Sequence, residues 1–75
     1  MTFEALRDVI VEELDVTAEE VTLEASFIDD LGADSLDLFE MVMSIEDEFG
    51  VAIPNEELSN VKTVQDVLNY AKNNA

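Results

Sequence analysis

Apolar residues return at helical spacing along this chain, and that rhythm commits it to amphipathic helices. Phe3, Leu6, Ile10 and Leu14 share one face of a segment from Phe3 to about Leu14, with Glu4, Asp8 and Glu12 on the other. A second segment, about Ser35 to Phe49, gathers Leu38, Met41, Val42, Ile45 and Phe49 on one broad face. Leu36, Glu40, Met43 and Asp47 fall on nearly the opposite side, mixing two large apolar side chains with two carboxylates. A third begins after Thr63, with Val64, Val67, Leu68 and Ala71 as its inner face. Between them, Asn55 to about Leu58 is expected to form a short helix, since Pro54 disfavours helix at Ile53. The expected fold is all-α: a small four-helix bundle, three longer helices and one short, in a single domain over residues 1–75.

The helix ends carry their own signals. Asp34 or Ser35 is the N-cap of the second helix and Gly50 its stop, while Thr63 caps the last helix with Asp66 three residues on. The ending Asn73-Asn74-Ala75 is expected to fray. Residues 15–34 form a long connection, in which Thr17-Ala18-Glu19-Glu20 has the form of a capping box around a single turn. Phe27, Ile28 and Leu31 offer anchors to the core, so this loop between the first two long helices is expected to be ordered. A connection so long in so small a domain is usually functional.

Charge narrows the possible roles. Nineteen acidic residues face three basic ones, Arg7, Lys62 and Lys72, for a formal net charge of −16. Contact with nucleic-acid phosphates or an anionic membrane needs the opposite sign. The field favours basic patches on other proteins and speeds encounter with them. Hydrophobic residues at 48% and helical spacing argue against a disordered acidic tail. The start, M-T-F-E-A-L-R-D, lacks the basic and apolar regions of a secretion signal, and no apolar run approaches a membrane span. A cytoplasmic, monomeric protein with no membrane insertion is expected.

The residues that are missing matter as much. The chain has neither cysteine nor histidine. It therefore lacks a disulfide, a thiolate nucleophile and the commonest partner for activating a serine. Asp29, Asp30 and Asp34 crowd one loop, yet D-D-L-G-A-D does not follow a calcium-loop pattern, and no metal site is expected. No catalytic residue is assigned, and the chain is not expected to be an enzyme on its own.

One segment remains, Asp30-Leu31-Gly32-Ala33-Asp34-Ser35-Leu36-Asp37. A lone Asp-Ser-Leu reads as an ordinary helix cap. The longer string L-G-A-D-S-L-D resembles the modification site of the acyl carrier proteins of fatty-acid synthesis. That resemblance spans the chain, through A-S-F-I-D-D-L-G (Ala25 to Gly32) and E-D-E-F-G-V-A-I-P (Glu46 to Pro54).

The resemblance implies a non-catalytic carrier. Ser35 would accept a 4'-phosphopantetheine arm from coenzyme A, delivered by a phosphopantetheinyl transferase (holo-carrier synthase), with Asp34, Leu36 and Asp37 as the flanking motif. Acyl thioesters would then pass among a ketosynthase, a malonyl transacylase, reductases, a dehydratase and acyltransferases. Leu36, Glu40, Met43, Glu46, Asp47 and Ile53 would dock on basic partner surfaces. Phe27, Leu38, Met41, Val42, Ile45, Val61, Leu68 and Ala71 would line a pocket for the acyl chain, or else form an ordinary packed core. Asp34 and Asp37 repel a phosphodiester, so a mobile arm is expected. Polyketide, D-alanyl or peptidyl carriers share the pattern, and an acidic interaction module with Ser35 as a cap is the alternative of a different class. Leu38-Phe39 departs from the usual smaller or β-branched residues there, and Glu57-Leu58-Ser59-Asn60 is less acidic than usual for this family.

Overall fold

Thr2 starts the first helix: its Oγ1 accepts the Ala5 N–H at 3.1 Å, and α1 runs Phe3–Leu14. Asp15 ends it in the left-handed region, at φ 55°. The structure, a computed structural model, describes residues 1–73. Asp34 caps α2, Ser35–Phe49, and Gly50 closes it at φ 71°, donating its N–H to the Glu46 carbonyl at 2.9 Å. That φ is readily adopted by glycine and strained for other residues. The last helix, α3, spans Val64–Asn73. Asn73 is helical, while the expected fraying of Asn74 and Ala75 lies outside the described residues.

The short helix is a 3-10 helix, Asn55–Asn60, running two residues beyond its expected end. A single 3-10 turn, Ala18–Glu20, forms where the capping-box pattern stands, with Glu20 Oε1 accepting the Thr17 N–H at 3.2 Å. No strand forms among the described residues, and none of their helices is long and apolar enough to cross a membrane.

The helices meet around one apolar core. Leu6 and Ile10 from α1, Met41 and Ile45 from α2, and Val64 and Val67 from α3 are fully buried. Phe27 joins them from the long loop and is the largest fully buried side chain. No polar or charged residue is buried among those described, so the carboxylates stay in water, where ionisation carries little desolvation cost. Ser44 on α2 donates a hydrogen bond to Glu13 Oε1 on α1, a polar clasp at the edge of the core. Leu68, expected to face inward, is half-buried on the flank of α3.

The long loop is ordered, as its anchors suggest, and backbone hydrogen bonds hold it. Ser26 and Thr63 form an isolated antiparallel bridge. Around it, the Phe27 N–H donates to the Lys62 carbonyl at 3.0 Å, Val64 N–H to Ala25 at 3.2 Å and Gln65 N–H to Leu23 at 3.0 Å. Phe27 and Leu31 are buried, but Ile28 is 55% exposed, which corrects its assignment as an anchor. The bridge ends at Ser26; Phe27 to Asp30 form a turn that buries Phe27 and carries Ile28 to the outer side.

The same bridge leads into the cap of α3. Asp66 N–H donates to Thr63 Oγ1 at 3.3 Å, and Asp66 Oδ2 accepts from Thr63 and Lys62 N–H, both at 3.0 Å. Burial raises the Asp66 pKa, but the N–H groups of Lys62 and Thr63, the Thr63 hydroxyl and the Lys62 charge outweigh it and hold it below 3.8. A carboxylate with a depressed folded-state pKa stabilises above its unfolded value and loses that contribution as pH falls through the folded one. Asp66→Asn is therefore expected to cost about 0.5–2 kcal/mol at neutral pH. In urea titrations that deficit should shrink as pH drops below the ordinary carboxylate value of 3.8.

Candidate functional site

Two turns of backbone present Ser35. Asp30 N–H and Leu31 N–H both donate to the Ser26 carbonyl, at 2.9 and 3.0 Å, and Asp30 Oδ2 accepts the Ser26 N–H at 2.7 Å. Ala33 N–H then donates to the Phe27 carbonyl at 2.8 Å. Leu31 and Ala33 are both buried, and Gly32 between them sits at φ 71°, a left-handed step that lets the chain turn sharply with both neighbours anchored. Asp30 is thereby engaged in the turn. Among the described residues, no group of three acidic side chains is placed to hold a metal ion.

Asp34 is the cap, which resolves the choice between it and Ser35. Its Oδ1 accepts the Asp37 N–H at 2.8 Å, and Asp37 Oδ2 accepts the Asp34 N–H at 3.2 Å, a reciprocal capping box. Ser35 is therefore the first residue inside the helix, exposed, with no hydrogen bond to its hydroxyl from any described residue. Both motif carboxylates serve the helix start, and the serine between them serves no local structural purpose. Leu36, beside it, is 63% exposed.

From Ser35 an exposed stripe runs down α2. Glu40, Met43, Glu46 and Asp47 all lie on the surface, Met43 with half of its side chain in water. Ile53 does not join them: it is 5% exposed and packed in the core. A side chain packed in the core cannot meet a partner, so its place on the docking face is corrected. Phe39, not assigned to that face from the sequence, is 42% exposed one turn below Ser35. Its off-pattern identity was the available signal, but an aromatic at that position reads equally well as core.

On the other side of Ser35 opens a cleft of about 580 Å³, between the loop at Ser26–Asp29, the first turn of α2 and the segment Leu58–Lys62. Phe27, Leu38 and Val61, named above as candidates for an acyl pocket, line it. Met41, Val42 and Ile45 are packed in the core and do not line it. Leu68 and Ala71, also candidates for that pocket, border a different groove, with Phe3, Phe49 and Lys72. Ile28 and Leu58 line the cleft without having been expected there. Leu58 is the only apolar residue in N-E-E-L-S-N, a signal that would have found it.

Comparison with known proteins covers almost the whole chain. Residues 4–71 match the family model described as a phosphopantetheine attachment site. An acyl carrier protein of Clostridium acetobutylicum is 50% identical over 72 residues, covering 96% of this chain and 94% of its own. One from Bdellovibrio bacteriovorus is 57% identical over 65 residues, covering 87% and 83%. The solved structure of a provisionally named acyl carrier protein from Mycobacterium tuberculosis superposes with a TM-score of 0.84 at 38% identity, covering 93% of each chain.

The division of labour at the helix start has a measurable signature. Asp34→Ala is expected to lower stability by about 0.5–2 kcal/mol through loss of the cap. Ser35→Ala should stay within about 0.5 kcal/mol of wild type. Equilibrium urea unfolding of the two variants checks both.

Proposed function

This chain belongs to the acyl carrier proteins, non-catalytic carriers with a phosphopantetheine attachment site, and we propose that Ser35 bears the 4'-phosphopantetheine on which it carries growing fatty acyl chains as thioesters. The observation that carries this reading is the exposed, unbonded Ser35 hydroxyl, left free because Asp34 and Asp37 complete the cap without it. A transferase must bring coenzyme A to this oxygen, and nothing among the described residues covers it or competes for it. The residues present therefore fit the group. When bound, the arm supplies a thiol to a chain that has no cysteine.

The chain's own contribution is presentation. The capping box fixes the first turn of α2, so Ser35 meets each partner from one rigid position. The stripe of Leu36, Glu40, Met43, Glu46 and Asp47 gives that partner two apolar contacts among three carboxylates. Charge steers basic surfaces in, and the flexible thioether of Met43 adapts to pockets of different shape. The partners proposed are the phosphopantetheinyl transferase, the ketosynthase, malonyl transacylase, reductases, dehydratase and acyltransferases of fatty-acid synthesis in the cytoplasm. The L-G-A-D-S-L-D string and the charge of −16 support that pathway over polyketide or peptidyl synthesis.

Intact mass spectrometry tests the site. Incubation with coenzyme A and a phosphopantetheinyl transferase is expected to add one phosphopantetheine to wild type and none to Ser35→Ala. An unchanged wild type, with another carrier protein converted in the same tube, would overturn the reading. With fatty-acid synthesis enzymes, the loaded protein should accumulate saturated acyl thioesters; if it does not, it serves another carrier pathway. Met43→Ala is expected to lower kcat/KM of a partner enzyme roughly fivefold, the effect of about 1 kcal/mol at a contact residue, with the unfolding midpoint unchanged.

A further inference from the structure

Lys62 is the one basic side chain that lines the cleft beside Ser35. The other two cations lie elsewhere: Arg7 over the Phe3 ring, 5.7 Å from its centroid, and Lys72 on the separate groove. Backbone bonds fix Lys62 in place, since its carbonyl accepts from Phe27, whose own carbonyl accepts from Ala33, two residues before Ser35. Each such bonded step spans about 5 Å, so the Lys62 backbone lies within about 10 Å of Ala33, in the turn that leads into Ser35. A four-carbon stem on one side and a phosphate on the serine oxygen on the other can close a gap of that order.

The ammonium is also uncommitted, with no carboxylate among the described residues within 4.0 Å of it. Asp66 attracts its charge, but that carboxylate already accepts the backbone N–H groups of Lys62 and Thr63. Among the described residues, Asp29 is the only other charged residue lining the cleft. A phosphodiester on Ser35 would be repelled by Asp34 and Asp37 on one side and would find a single cation on the other.

We propose that Lys62 is a positioning residue for the phosphodiester joining the arm to Ser35, drawing it to the lip of the cleft. This rests on Ser35 as the attachment point. The contact holds only the root of the arm: the pantetheine beyond it starts at the cleft mouth and remains free to swing out to a partner. An exposed ion pair contributes little stability, so its effect is on direction rather than on folding.

The chain has two lysines, so the ammonium region of a nitrogen-proton NMR spectrum assigns itself once Lys62→Arg removes one signal. Mass spectrometry first verifies conversion by coenzyme A and the transferase. Conversion is expected to shift the Lys62 ammonium signal and leave that of Lys72 in place. The shift should shrink toward about 1 M salt, where screening reaches roughly 3 Å. The phosphorus resonance of the loaded protein should move in Lys62→Gln and stay in Lys62→Arg. A stationary Lys62 signal, equal shifts of both lysines, or a phosphorus resonance unaffected by Lys62→Gln would overturn the positioning role while leaving Ser35 as the attachment point. A protein that gains no mass overturns both.

Discussion

Phe27 is the pin on which the rest of the molecule hangs. Its ring is fully buried among side chains from all three helices, while its N–H and carbonyl tie together two segments distant in sequence, at Lys62 and Ala33. Burial of a phenylalanine contributes roughly 1.5–3 kcal/mol, a large share of what so small a core supplies. The two backbone bonds add geometry to that energy. One docks the loop against the start of α3, and the other sets the turn from which α2 begins. A long connection thus becomes a rigid mount, and the position of Ser35 follows from a residue eight places earlier.

The second constraint is electrostatic. A net charge of −16 on 75 residues opposes compaction, and the structure accommodates it by keeping every carboxylate out of the core. Several acidic side chains are occupied locally, as acceptors for backbone N–H groups at helix starts and turns: Asp34, Asp37, Asp66, Glu20 and Asp30. These contacts satisfy donors that a helix or turn would otherwise leave to water. Acidity here is therefore both a surface property and part of how the elements begin.

Much of this was legible in the sequence, for reasons that differ by residue. The limits of α1 and α2 follow from apolar spacing and from Gly50, signals that act within a few residues. Asp34 and Ser35 are both good caps, so the sequence left them equivalent; the Asp37 carboxylate reaching back to the Asp34 N–H decides between them. Ile28 and Ile53 were misplaced because both lie in irregular segments, where no apolar period reveals which side faces the core. Leu68 and Ala71 were read correctly as belonging to the inner side of a helix, although Leu68 is only half-buried. Which opening such residues border depends on how α3 packs, and local pattern carries no such information. The family resemblance supplied the role proposed for Ser35; the structure supplies the reason its hydroxyl is available.

The exposed apolar residues near Ser35 have a consequence for crowds of this molecule. Ile28, Leu36, Phe39 and Met43 are each at least 42% exposed, an arrangement that in a neutral protein would invite copies to stick together. Here each copy meets its own kind as a strongly like-charged object, so the greasy residues of two copies are held apart before they touch. A surface of opposite sign removes that barrier and finds the same residues ready for contact. The excess negative charge thus acts as a filter on company: it keeps a concentrated population dispersed while leaving the sticky face open to strangers of the right polarity.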